Sequence, residues 1–277
     1  MLIDSTLFES LPAYTVEPGT KVDLAAWETS AKGPYEDKEI ARAELELIKE
    51  RIEHLQERLW AEHQQSLLVV LQAMDTGGKD GTIRNVFSGI NPAGCRVWSF
   101  KQPTSEELDR DFLWRIHQRT PAKGMINVFN RSHYEDVLVV RVDEIVPEQV
   151  WRKRYELIND FEKLLVENGT AVLKIFLHIS REEQRERLQA RLDDPAKHWK
   201  FAVSDLDDRA RWDDFQEAYA DAVTHCSTEH APWHIIPADR KWYRDVVVAK
   251  LVADTLERMD PQFPASVHDL DGIVIPE

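Results

Sequence analysis

The feature that most constrains this chain is a short apolar run, Ser66–Gln72, that passes through Met74-Asp-Thr-Gly-Gly-Lys-Asp-Gly-Thr82 into a helix-forming stretch reaching about Ser88. A short, valine-rich apolar run of this length, followed by a glycine-containing turn, reads as a buried strand rather than a helix. A strand that feeds a helix through glycines belongs to a layered α/β architecture, because the helix must pack back over the sheet. Such a turn is also an anion cradle: glycines let backbone N–H groups converge, and the helix N-terminus adds a favourable partial charge.

The spacing differs from the G-x-x-x-x-G-K-[ST] phosphate loop at two positions. Ala73 stands where the first glycine is expected, and Asp80 where a hydroxyl residue usually helps hold magnesium. Gly77, Gly78, Asp80, Gly81 and Thr82 are the candidate phosphate-contacting positions, and Lys79 is placed to neutralise a transferring phosphoryl group. Asp75, inside the loop, is the candidate for the missing metal ligand. The plain alternative is an ordinary strand-to-helix turn with an exposed lysine.

The rest of the chain repeats the same alternation. Helices are expected over about Glu36–Glu62, Ser105–Arg119 with Ser105 as N-cap, Pro147–Asn168, Ser180–Asp194 with Glu183 at the capping-box position, Asp205–Cys226 and Lys241–Met259. Strands are expected at Arg96–Phe100, Met125–Phe129, Ala171–His178 and Trp233–Pro237. This pattern predicts a three-layer α/β sandwich, a mostly parallel sheet with helices on both faces. Ligands of such sheets bind beyond the carboxyl ends of the strands, where both motif-bearing turns fall. Residues 1–33, with Pro12, Pro18 and Gly19, read as an irregular arm, and residues 261–277 as a tail.

With 43% hydrophobic residues, only 10 glycines and no linker-like stretch, the 277 residues read as one domain. The longest apolar runs are far too short to span a bilayer, and Met1-Leu-Ile-Asp-Ser does not open a signal peptide. Cys95 and Cys226 form neither a disulfide framework nor a metal spacing, so the expectation is a cytoplasmic protein. A net charge of −15 argues against a general nucleic-acid binder.

A second turn, Asn130-Arg131-Ser132-His133-Tyr134-Glu135-Asp136, follows a strand that resembles the one carrying an acidic metal ligand in phosphate-loop enzymes. Asn130 is neutral, so Glu135 and Asp136 are the candidates for the metal or base role, against the alternative that they only complement a helix dipole. Arg131 is a candidate phosphate clamp, or else the partner of a neighbouring carboxylate. Ser132-His133 is no catalytic triad, since adjacency in sequence is not triad geometry. Segment 181–211 holds eight Lys/Arg, among them Arg187, Arg191, Lys197, Lys200 and Arg209, balanced by eight Asp/Glu. Cations on a helix beside the Pro195 break suit a lid that closes over phosphate, or a solvated salt-bridged face. Trp199 and Trp212 read as packing anchors.

Three segments taken together carry a resemblance. Leu71-Gln-Ala-Met-Asp-Thr-Gly-Gly-Lys-Asp-Gly-Thr82, Phe129-Asn-Arg-Ser-His-Tyr-Glu-Asp-Val137 and Arg191-Leu-Asp-Asp-Pro-Ala-Lys-His-Trp-Lys200 resemble the polyphosphate kinase type 2 family, as does Trp212 followed by Ala218-Tyr219. The resemblance implies a thymidylate-kinase-like fold with a helical lid, Mg2+ dependence, and reversible phosphoryl transfer from inorganic polyphosphate to a nucleoside mono- or diphosphate. By motif position Asp75 and Lys79 match the loop acid and lysine, Arg131 the second-motif arginine, and Arg191, Lys197 and Lys200 the lid. Many members carry Asp-Arg-Ser where this chain has Asn130-Arg131-Ser132, so the metal expectation moves to Asp75 and Asp136. The Glu135-containing turn looks like the subgroup accepting both AMP and ADP, with Ser132 and Glu135 on the substrate. The implied partners are polyphosphate, AMP, ADP, ATP, with guanine nucleotides as further candidates, and copies of the chain in a dimer or tetramer; nucleic acid and membranes are not among them. The competing readings are an ATP-dependent nucleoside monophosphate kinase and a non-catalytic phosphate or nucleotide sensor.

Overall fold

The computed structural model describes residues 6–267 and 273–276. The first five residues, read above for a leader, and part of the tail lie outside them. In chain order the strands are β1 (Thr15–Val16), β2 (Ser66–Ala73), β3 (Cys95–Ser99), β4 (Ile126–Asn130), β5 (Thr170–His178) and β6 (Trp233–Pro237). The helices are α1 (Thr6–Glu9), α2 (Lys38–Glu62), α3 (Lys79–Val86), α4 (Ser105–Leu108), α5 (Trp114–His117), α6 (Val139–Val142), α7 (Glu148–Glu167), α8 (Arg181–Leu192), α9 (Ser204–Ala210), α10 (Trp212–Cys226) and α11 (Lys241–Met259).

The strands form one sheet in the order β1-β6-β5-β2-β4-β3, parallel except for β1. Every residue of β2, and all but Ala171 of β5, is buried. Both pleat faces are therefore covered, as a parallel sheet requires. Helix α11 packs on β5 and β6 with α2 against it, while α7 packs on β5 with α10 beside it. A single apolar cluster runs through the layers, from Ile48 and Ile52 of α2 to Leu68 and Val70 of β2 and Val247 of α11.

Three elements differ from their sequence expectation. The arm is not irregular throughout: β1 pairs antiparallel with β6, Thr15 opposite His234, and buries Val16. The helix expected over Ser105–Arg119 breaks into α4 and α5, because the Asp111 side chain accepts from the Leu113 N–H and starts a new turn. Its N-cap is Thr104, whose capping box closes with Glu107. Arg211 separates α9 from α10, interrupting the helix expected over Asp205–Cys226.

Candidate active site

The phosphate loop leaves β2 at Ala73 and doubles back, the Gly77 N–H donating to the Met74 carbonyl at 2.9 Å. A Cβ on Gly77 would stand 2.4 Å from that of Ala73; one on Gly78, at φ +106°, would stand 2.0 Å from an Arg244 guanidinium nitrogen. Both positions therefore require glycine. Lys79 opens α3 and folds over the loop, its Nζ donating to the Ala73 carbonyl at 2.7 Å. Burial and the nearby Arg131 cation lower the pKa of this ammonium, with Asp75, Glu135 and Asp80 acting against them. Thr76 and Arg131 both sit at φ +62°, a left-handed conformation that costs a non-glycine residue on the order of 1 kcal/mol or more. Each is pinned: the Thr76 carbonyl accepts from Arg187 at 3.0 Å, and the Arg131 N–H donates to Leu71 at 3.2 Å.

Across the loop, Arg131 Nη2 donates to Asp75 Oδ1 at 2.9 Å, and its Nη1 lies 4.0 Å from Glu135 Oε2. Asp75, Arg131, Glu135 and Asp208 line one cleft, with Phe215 and Tyr219 as apolar walls. Burial works against ionisation of Asp75, but Lys79, Arg131 and a hydrogen bond with Asp208 hold it below the usual carboxylate range. Burial, the Asp75 hydrogen bond and the Asp75 charge push Asp208 up to about 6. Two carboxyls side by side repel each other when ionised, and a divalent cation fits such a place because its charge offsets both. Among the described residues no cluster of three or more metal-ligating side chains converges.

Asp136, expected from the sequence as a metal ligand or base, pairs with Arg154, accepting at Oδ1 at 3.0 Å and at its carbonyl at 2.9 Å. Neighbours in the 3-10 turn His133–Asp136 point apart, so Glu135 reaches the cleft and Asp136 ties the turn to α7. Burial pushes the Asp136 pKa up to about 6, against the pull of Arg154 and Arg115. Ser132 is fully buried, its hydroxyl accepting from Gln72 and from the Tyr134 N–H, so it braces the turn rather than facing the cleft. Thr82 is also fully buried. Asn130 Nδ2 donates to Asp80 Oδ1 at 2.6 Å, so the two residues at which the motifs depart from their usual form meet each other. Gly81 lies beside Arg244.

The predicted lid cations divide. Arg187 is buried and spends its guanidinium on Glu183 and on the carbonyls of Thr76, Ala238 and Asp239, so it fastens α8 to the loop. Glu183 accordingly does not close a capping box. Arg191 bonds to Asp205 and the Lys200 carbonyl, and Arg209 to Gln184 and the Arg181 carbonyl. Lys197 pairs with Asp194 at 2.8 Å, while Lys200 lies over the Trp199 ring at 4.9 Å. Trp199 is 79% exposed and anchors nothing, whereas Trp212 is 7% exposed and does pack. Beyond these, Lys241 and Arg244 join Arg187 and Lys197 in one cationic field beside the loop; burial and those neighbouring cations lower the Lys241 pKa. The available signal was the Arg240-Lys241-Trp-Tyr-Arg244 run just past β6.

A fully buried ionic network underpins the second turn. Lys174 of β5 bonds to Glu162 of α7 at 2.5 Å and to Tyr134 at 2.9 Å, and His133 and Tyr134 both reach the same Glu162. Burial alone would raise the Glu162 pKa, but Lys174 and His133 bring it below its ordinary value.

Residues 35–264 match the family described as Polyphosphate kinase 2 (PPK2). The chain is 52% identical over 263 residues to the AMP/ADP-polyphosphate phosphotransferase of Meiothermus ruber, covering 95% of this chain and 98% of that one. It is 44% identical to the ADP-polyphosphate phosphotransferase of Rhodopseudomonas palustris, over 91% of each. Among solved structures, polyphosphate kinase 2 from Arthrobacter aurescens superposes with a TM-score of 0.89 at 43% identity, over 93% of this chain and 92% of that one.

Proposed function

Because the chain belongs to the polyphosphate kinase 2 family, we propose that this polyphosphate:nucleotide phosphotransferase serves both AMP and ADP, with Mg2+, in the cleft between the phosphate loop and the second turn. The observation that carries the assignment is the convergence of Lys79, Arg131, Asp75 and Glu135 at the carboxyl ends of β2 and β4. Loop N–H groups and Lys79 hold the terminal donor phosphate, and Arg131 fixes donor against acceptor. The acceptor is already an anionic oxygen, so the chemistry needs positioning and charge stabilisation rather than a strong base or a covalent intermediate. Phe215 and Tyr219 exclude water that would otherwise take the phosphoryl group. Asp75 and Asp208 are the residues that would hold magnesium, which when bound neutralises charge on the phosphate oxygens.

Glu135 supports the dual acceptor range. AMP brings one phosphate fewer than ADP, and a further carboxylate in the cleft can hold or orient a second ion in its place. Guanine nucleotides belong to the same proposal, because the residues gathered here address phosphates. So do a cytoplasmic site of action and a dimer or tetramer. No described helix is long and apolar enough to cross a membrane, and β3 stands at the edge of the sheet, where strands of two copies can pair. An ATP-dependent monophosphate kinase would instead need a donor adenine pocket. The test is product analysis with polyphosphate plus AMP as the only nucleotide. Sequential appearance of ADP and ATP is expected; product only when ATP is added would overturn the reading.

A further inference from the structure

Near the amino ends of the strands, away from the transfer cleft, a pocket of about 230 Å³ opens between the end of α2, β3 and the start of β4. Its wall contains Arg96, Arg119 and Lys123 and no Asp or Glu, in a chain whose acidic residues outnumber Lys and Arg by 50 to 35. Arg119 lies over the Trp98 ring, 4.3 Å from its centroid. An unopposed group of cations in an acidic protein is a local attractor for anions.

The deeper wall narrows the choice. Asn127 is 4% exposed; its Nδ2 donates to the Arg119 carbonyl at 2.7 Å, which leaves its buried Oδ1 without a donor. The Trp98 Nε1 is likewise buried and has no acceptor. Leaving such groups unmade costs about 1–3 kcal/mol each, so a wall carrying one lone acceptor and one lone donor asks for a ligand that supplies both. Trp60, 45% exposed at the rim, adds a flat apolar face.

We propose that this pocket is a second nucleotide site. The base edge gives an N–H to Asn127 and accepts from Trp98, while the phosphates meet Arg96, Arg119 and Lys123. Polyphosphate would satisfy the cations, but its interior units offer acceptors and no donor, so Asn127 would stay unpaired. None of these residues belongs to the transfer machinery. Asn127 and Asn130 lie on one strand, about 10 Å apart along it, so the site is separate from the cleft.

The test is calorimetric titration of the full chain with ADP, set beside Lys123→Glu and the double variant Arg96→Ala/Arg119→Ala. Two classes of ADP site are expected in the parent. Each variant should weaken one class about tenfold or more, the loss of a charge-assisted contact, and leave the other intact. Lys123 is exposed, so its variant keeps the test open if the double variant misfolds. A single ADP class in the parent, unchanged classes in Lys123→Glu, or displacement of the second class by polyphosphate but not by AMP would overturn the proposal. Transfer activity is measured separately and bears on the cleft alone.

Discussion

Glu135 and Asp208 both line the cleft that holds Asp75, yet they do different work. Glu135 touches the acceptor side through Arg131, so Glu135→Asn should depress AMP turnover far more than ADP turnover, read as parallel initial rates. Equal proportional loss would reduce Glu135 to a structural role. Asp208 lines the cleft beside Asp75, so Asp208→Asn should weaken divalent-ion binding about tenfold or more. Manganese binding measured by electron paramagnetic resonance without nucleotide checks this; an unchanged constant would remove Asp208 from the site. At this scale the sequence was partly legible. Lys79, Asp75 and Arg131 stand in local motifs whose geometry follows from a strand and a turn. Asp208 carries no such mark, because tertiary folding alone brings α9 to the loop. The choice between Glu135 and Asp136 turned on side-chain direction in a 3-10 turn, which spacing does not settle. Asn130 makes sense only beside Asp80: an aspartate at that position would set two carboxylates against each other.

At the scale of elements, the strand–loop–helix unit and the long helices were legible because periodicity and caps act locally. The break between α4 and α5 was not, since it depends on one aspartate competing for backbone N–H groups. Nor was β1, which exists by pairing with β6. The lid segment presents Lys197 and Lys200 to solvent, whereas Arg187 is consumed by the loop. Replacing Lys197 and Lys200 by alanine should raise the KM for polyphosphate and flatten its salt dependence, with the KM for ADP moving less. A shift confined to ADP would place the polyphosphate track elsewhere. The network joining β5 and α7 makes a stability prediction. Glu162→Gln leaves Lys174 buried without its counter-charge and should cost roughly 3–5 kcal/mol at neutral pH. The folded-state pKa of Glu162 is depressed, so its contribution is fully present above the unfolded value of about 4.3 and fades as pH falls through the folded value. The gap between parent and variant in urea unfolding should therefore narrow below about pH 4; a gap independent of pH would contradict the assignment.

For the whole molecule, a net charge of −15 and a polyanionic donor are reconciled by where the cations gather. Lys79, Arg131, Arg187 and Arg244 contact the phosphate loop, with Lys241 and Lys197 beyond Arg187, drawn from both motif turns, the lid and α11. Composition reports the sum of charge and not its placement, so this field could be argued from motifs only in part. The central claim is that the loop lysine stabilises a phosphoryl group passing from polyphosphate to nucleotide. Its most direct test is ATP formation from ADP with purified polyphosphate as sole donor, run for the parent and for Lys79→Ala with melting temperatures measured alongside. The account predicts ATP from the parent with no other nucleotide supplied, and at least ~10²-fold slower turnover in an equally stable variant. Near-parental turnover in Lys79→Ala, or a parent that makes no ATP from polyphosphate, would contradict it.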